Sequence, residues 1–218
     1  VYGWGDNGSG QLGISNSEDQ KLPVKMTLTN IKQIAVGHYH SIAVTEEGKA
    51  YVAGRNYEGQ LGIGQTTNTT ITTWTIMKST NGTSEMTGIK QVAAGDRHTV
   101  VLTDDGYMYA TGSNTYYQLS DGTGSQRKNL VYMRDNSGNL MKDVKEIKAA
   151  GNTSIAITNS DGIYVVGENT AGQLLQGNAT TVTKFKKLNE SEKIDKIVMT
   201  QNTGSQTTAY ANNIGRIY

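Results

Sequence analysis

Tyr51-Val52-Ala53-Gly54-Arg55-Asn56-Tyr57-Glu58-Gly59-Gln60-Leu61-Gly62 decides how this chain is built, because recognisable copies of it recur. One runs from Tyr2 through Gly5, Asn7 and Gly10-Gln11-Leu12-Gly13. A second runs from Tyr109 through Gly112, Asn114 and Gln118-Leu119, and a third from Tyr164 through Gly167, Asn169 and Gly172-Gln173-Leu174. A further copy begins at Ile217-Tyr218. The tyrosines are spaced by 49, 58, 55 and 54 residues, which makes the 218-residue chain one repeat array with units of about 2–50, 51–108, 109–163 and 164–217. A unit of that size cannot bury its own apolar face, so neighbouring units must stack.

Outward from the signature, each unit carries two apolar runs. Ile31–Gly37, Ile89–Gly95 and Val144–Gly151 end in Gly and suit a crowded innermost strand; Ser41–Thr45, Thr99–Thr103 and Ser154–Thr158 are short and nearly wholly apolar, as a strand buried between sheets is. Glu46-Glu47-Gly48, Asp104-Asp105-Gly106 and Ser160-Asp161-Gly162 follow as hairpin turns in which Gly takes positive φ. The signature Tyr therefore opens a third strand. Fourth strands are expected at Leu22–Leu28, Thr72–Lys78, Asn129–Met133 and Val182–Leu188, with surface insertions at Ser79–Gly88 and Arg134–Asp143. Four antiparallel strands per unit and no helical periodicity describe an all-β fold, a β-propeller of four-stranded antiparallel blades in about four repeats. The fourth unit departs most: Thr200 stands where the others have Gly37, Gly95 and Gly151, and the next signature Tyr, Tyr218, lies 18 residues on.

Composition narrows the chemistry. With 20 basic and 19 acidic residues the formal charge is +1, so no global field draws in nucleic acid or an anionic membrane. Lys184, Lys186 and Lys187 flank Phe185 as on a half-exposed strand. No apolar run approaches the roughly 20 residues of a membrane helix. Zero cysteines exclude disulfides, zinc–thiolate sites and thiol nucleophiles. The chain starts inside a repeat with neither an initiator Met nor a signal peptide, and so reads as a fragment.

Several motifs invite a catalytic or ligand reading and do not sustain it. Gly8-Ser9-Gly10-Gln11-Leu12-Gly13 matches a dinucleotide fingerprint, but no strand–helix context surrounds it and its copies keep only Gly-Gln-Leu. The paired acids at 46–47 and 104–105 recur because hairpin turns recur. His40 and His98 share a repeat position where Thr153 stands in the next unit, which favours a hydrogen bond to a turn over a metal; His38 is matched by Asp96. No Ser-His-Asp or Cys-His set and no Gly-x-Ser-x-Gly elbow is present, so neither a catalytic group nor a cofactor or metal site is expected. Sequons at Asn68, Asn81, Asn152, Asn178 and Asn189 would matter only in a secreted eukaryotic chain.

Val92-x-Ala94-Gly95-x-x-His98-Thr99-x-x-Leu102-Thr103-x-x-Gly106, together with the Tyr51–Gly62 signature, resembles the regulator-of-chromosome-condensation repeat family across essentially all 218 residues. The resemblance implies blades of four antiparallel strands, usually seven to a ring. Four units leave such a ring incomplete, with three readings open: a piece of a longer ring, an arc completed as a homo-oligomer by a second copy, or an open arc.

In an antiparallel meander the first–second and third–fourth loops emerge on one face. The loop positions that vary between units there include Tyr39, Arg55, Tyr57, Glu58, Arg97, Tyr116 and Tyr117, offering the Tyr and Arg of binding hot spots. The bland alternative is that these tyrosines pack on adjacent loops. The expected function is a non-enzymatic protein-binding module with a protein partner, similar to family members that grip a protein over the ring mouth, including a secreted bacterial inhibitor of β-lactamases. Guanine nucleotide exchange on a small GTPase, as in the family's namesake, and a structural segment of a large bacterial surface protein are the alternatives. Low Pro, no Cys and Thr/Asn-rich loops favour a secreted or cell-surface bacterial protein over a cytoplasmic one.

Overall fold

The computed structural model describes residues 1–188, 194–200 and 208–212, with the side chains of 194–196 and 208–212 left aside. Ile217-Tyr218 and the Asn189 sequon lie outside them. Every element among the described residues is a strand. The strands are β1 (Tyr2–Gly5), β2 (Gln20–Lys25), β3 (Ile31–Val36), β4 (His40–Thr45), β5 (Ala50–Gly54), β6 (Ile71–Ile76), β7 (Ile89–Ala94) and β8 (His98–Thr103). They continue as β9 (Met108–Gly112), β10 (Arg127–Tyr132), β11 (Val144–Ala150), β12 (Thr153–Thr158), β13 (Ile163–Gly167), β14 (Val182–Lys187), β15 (Ile194–Met199) and β16 (Thr208–Asn212).

They form three four-stranded antiparallel sheets, β3–β6, β7–β10 and β11–β14, flanked by the pairs β1–β2 and β15–β16. Sheets and sequence repeats are out of phase. Each sheet takes its first two strands from the end of one repeat unit and its last two from the start of the next, because the signature Tyr opens the third strand. The innermost strands β3, β7 and β11 stand side by side, and β11 meets β15.

The second strands β4 and β8 are buried at every position, as their unbroken apolar runs require. Three apolar cores lie between successive sheets. Ile42, Val52, Leu61 and Met77 meet Ile89, Val92 and Val101; Val100, Leu102, Met108 and Leu119 meet Val144, Ile147 and Phe185; Ile155, Val165 and Leu174 meet Ile197. Each sheet thus depends on its neighbour for burial.

Three sequence expectations need adjustment. Three of the fourth strands, β2, β6 and β10, start one or two residues earlier than their apolar content suggests, and β14 starts at Val182 as expected. The insertions are small hairpins, closed by bridges Lys78–Glu85 and Arg134–Leu140, that return Met86 and Met141 to the cores. The turn before β13 places Asp161 (φ 61°), not Gly162, in the left-handed region occupied by Gly48 and Gly106 in the other turns.

Pairing register also corrects one alignment. Val36↔Ser41, Ala94↔Thr99 and Ala149↔Ser154 are equivalent, so Ala150, not Gly151, is the counterpart of Gly37 and Gly95. Gly is needed where His follows three residues on. A Cβ at Gly37 would fall against the Gly95 carbonyl oxygen and 2.5 Å from His40 Cε1, and one at Gly95 would fall 2.7 Å from the Gly151 carbonyl oxygen and against the His98 ring. Where Thr153 replaces His, Ala150 fits.

Candidate functional site

The loop face is built by the signature itself. Asn7, Asn56, Asn114 and Asn169 are fully buried, and each side-chain carbonyl accepts from the N–H of the signature Leu, at 3.0, 3.1, 2.9 and 2.8 Å. Each amide then donates across the loop, to the carbonyls of Asn16, Gln65, Thr123 and Asn178. Gln11, Gln60, Gln118 and Gln173 accept from the N–H two residues earlier. These bonds satisfy the loop backbone internally, which leaves the residue after Asn and its neighbour free to differ.

The Gly-Gln carbonyls are anchored to the next sheet. Thr99 Oγ1 donates to the Gln60 carbonyl (2.7 Å) and Thr111 Oγ1 to that of Gly59 (2.9 Å). Since the Thr99 proton is committed there, its oxygen accepts from His40 Nε2–H at 2.9 Å. Ser154 repeats the arrangement with the Gln118 carbonyl (2.8 Å) and His98 Nε2 (2.9 Å). The histidines are therefore clamps between sheets and not ligands of a turn, and Nδ1 of each is buried without a partner. Burial pulls His40 down to about 4 and His98 to about 3, so both are neutral at pH 7.

On this frame the structure brings five of the expected residues together across two sheets. The Arg55 N–H donates to the Tyr39 carbonyl (2.9 Å), holding the third–fourth loop against the first–second loop. The Arg55 guanidinium lies 4.5 Å from the Tyr57 ring centroid and 5.1 Å from that of Tyr39, and donates to Glu58 Oε1 at 2.8 Å. Arg97 comes from the neighbouring sheet, 5.8 Å from the Tyr39 centroid and 3.7 Å from Glu58 Oε1. His38 stacks tilted on Tyr39 at 4.0 Å. Beneath them Asp96 is buried, and desolvation pushes its carboxyl above the usual range against the opposing pull of His38 and Arg97. The sequence places Asp96 on this face beside Arg97; its burial and its electrostatic coupling to His38 come from the structure.

Tyr116 and Tyr117 stand half-buried on the β9–β10 loop of the sheet that supplies Arg97, and their rings make no aromatic or cation–π contact with the five. Tyr117 occupies the position of Gly10, Gly59 and Gly172, with φ 62° against 69°, 86° and 77°. Its ring lies against Gly124 of its own loop. Among the described residues no group of three or more His, Asp or Glu comes together as a metal site, and no helix is long and apolar enough to cross a membrane.

The Regulator of chromosome condensation (RCC1) repeat models match residues 1–44 and 47–102, and again 31–60 and 89–118. The chain is 36% identical over 181 residues to the Ultraviolet-B receptor UVR8 of Arabidopsis thaliana, covering 82% of this chain and 39% of that protein. It is 38% identical over 131 residues to the secretion-regulating guanine nucleotide exchange factor of Bos taurus, covering 58% of this chain and 27% of that one. Human WBSCR16 superposes with a TM-score of 0.77 at 19% identity over all of this chain and 56% of its own. Yeast RCC1 (Prp20), solved bound to Kap60, gives 0.73 at 21% identity over 95% of this chain and 49% of its own. The chain thus spans less than two-fifths of these curated relatives, which are eukaryotic and lend no support to a bacterial origin. With its repeat models, its recurrent Asn-x-x-Gly-Gln-Leu loops and its four-stranded sheets, the chain belongs to the regulator-of-chromosome-condensation repeat family of β-propellers.

Proposed function

We propose that the chain is a non-enzymatic protein-binding module and that the Tyr39–Arg55–Tyr57–Glu58–Arg97 face holds the partner. One observation carries this reading. Two arginines and two tyrosines from adjacent sheets are locked by cation–π contacts and a shared carboxylate, yet Tyr57 remains 42% exposed and the Arg97 side chain 44%. A rigid aromatic and a pre-oriented guanidinium lose little conformational entropy on binding, which is what makes Tyr and Arg strong anchors.

A photo-crosslinking residue at Thr115, exposed beside this face, would first identify the partner. Tyr57→Ala with Arg97→Ala should then weaken its affinity by about 2 kcal/mol or more, roughly 30-fold, with the thermal midpoint unchanged. Tyr116→Ala with Tyr117→Ala is the comparison on the neighbouring loop. Unchanged affinity in the Tyr57/Arg97 variant would remove the face.

A second reading is favoured by the likeness to a protein named as a guanine nucleotide exchange factor: the same face would grip a small GTPase. Release of fluorescent GDP from small GTPases, with and without the chain, tests it.

A further inference from the structure

The face opposite the loop cluster carries a cleft whose walls come from two sheets. Antiparallel strand order sends the hairpin between β10 and β11 to that side, together with the turns before β9 and β13. Between them lies a cavity of about 720 Å³ lined by Tyr107, Arg134, Leu140, Lys142, Thr158 and Tyr164. Small-molecule sites occupy roughly 300–1,000 Å³.

The preceding junction shows why this one is open. The two hairpins align at their closing bridges, Lys78–Glu85 and Arg134–Leu140. The turns before β5 and β9 align at the bonds from the Thr45 N–H to the Lys49 carbonyl and from the Thr103 N–H to the Tyr107 carbonyl. Lys49 Nζ pairs with Glu85 at 3.0 Å, tying turn to hairpin. Tyr107 and Leu140 hold those two positions at the later junction, and an ion pair cannot form between them.

The signature tyrosines differ in the same sense. Tyr109 is opposite Tyr132 in register, and the two ring centroids are 4.5 Å apart. Tyr164 is opposite Lys187, an exposed side chain. The Lys187 stem runs beside the Tyr164 ring, since a Cβ at Gly162 would lie 3.3 Å from Lys187 Cε and 3.2 Å from Tyr164 Cε2. Among the described residues no aromatic ring stacks on Tyr164.

The charge lining the cleft is one-sided. Arg134 Nη1 donates to the Gly138 carbonyl at 2.9 Å, which fixes the guanidinium on the hairpin. Among the described residues neither Arg134 nor Lys142 forms an ion pair. The carboxylate next in sequence, Asp135, accepts instead from the Asn139 N–H at 2.8 Å and from its Nδ2 at 3.1 Å.

We propose that this cleft binds a small aromatic anion, its phosphate or carboxylate on Arg134 and Lys142 and its ring against Tyr164. A planar guanidinium matches two anion oxygens at once, and a lysine adds a point charge. The ligand ring takes the place beside Tyr164 that Tyr132 takes beside Tyr109, as offset aromatic pairs do.

Titration calorimetry of the chain with phenyl phosphate should give saturable binding to a single site, about tenfold or more tighter than binding of inorganic phosphate or phenol, each of which engages half of the cleft. Lys187→Tyr should abolish it, because the substitution supplies the missing ring and leaves Arg134, Lys142 and Tyr164 in place. Arg134→Gln with Lys142→Gln should weaken it about tenfold or more, whereas Lys184→Gln with Lys186→Gln, which removes the same charge from β14, should not. Circular dichroism and the thermal midpoint of each variant report that it is folded. Absence of saturable binding by phenyl phosphate overturns the proposal, as does equal affinity for inorganic phosphate or binding that survives either Lys187→Tyr or the Arg134/Lys142 substitutions.

Discussion

Asn56, Asn114 and Asn169 close their loops by accepting from the N–H of the signature Leu and donating to a carbonyl on the far side of the same loop, so residues beside them can change without unfolding the face. The histidines behave differently, because their partners belong to the next sheet. Below their ordinary value near 6.5, and down to about 4 for His40 and about 3 for His98, the unfolded chain binds protons that the folded chain refuses. Stability must fall as pH drops through that window, by on the order of 3 kcal/mol per imidazole when it is fully crossed. The thermal midpoint is expected to decline from pH 6.5 to pH 4, and His40→Gln with His98→Gln should flatten the decline. Tyr117 makes the second residue-scale case: a left-handed backbone costs an L-residue about 1–2 kcal/mol, and the other repeats use Gly there. Tyr117→Gly should raise the urea-unfolding free energy by about 1 kcal/mol. A fall instead would mean that the Tyr117 ring against Gly124 outweighs the backbone strain.

Between elements the deciding groups are those that cross from one inner strand to the next. Gln33 and Gln91 grip Val92 and Ile147 with both amide atoms, whereas Glu146 holds the third such register position and pairs instead with Lys148 Nζ at 2.6 Å. A carboxylate accepts but cannot donate, so this substitution forgoes half of the grip. Gln91→Ala should cost about 1–2 kcal/mol of stability in urea unfolding. Gln91→Glu should cost at least as much at pH 7 and less at pH 4, where a protonated carboxyl can donate. Equal losses at the two pH values would show that the Gln91 contacts act through packing. The strands themselves were legible from their apolar runs and turns. The outer strands β6 and β10 start earlier than their apolar content suggests, and each shifts register against its partner, between Val52 and Gly54 and between Arg127 and Val131. A bulge adds a residue without altering the apolar pattern that announces the strand.

Over the whole molecule, stability is shared between neighbours. The three cores lie between sheets, not within them, so each sheet relies on its neighbour for burial. Of the loop face, the residues free to vary could be picked out in the sequence, since everything around them repeats. Which of them meet could not. Tyr39, Arg55, Tyr57, Glu58 and Arg97 converge because β3 and β7 stand side by side, while Tyr116, at the position of Glu58, and Tyr117, at that of Gly59, are held by their own loop.

The repeat spacing, the signature Asn-x-x-Gly-Gln-Leu and the buried second strands are local facts. They depend on hydrogen bonds and turns spanning a few residues, and for that reason the amino-acid sequence alone determined an all-β propeller of four-stranded sheets. The inter-sheet partners of His40, His98 and Phe185, at separations of 59, 56 and 65 residues, depend on how rigid sheets stack. So does the Arg–Tyr cluster. Stacking is set by the summed shape of many side chains, so no single motif encodes it, and only the tertiary structure decided these contacts.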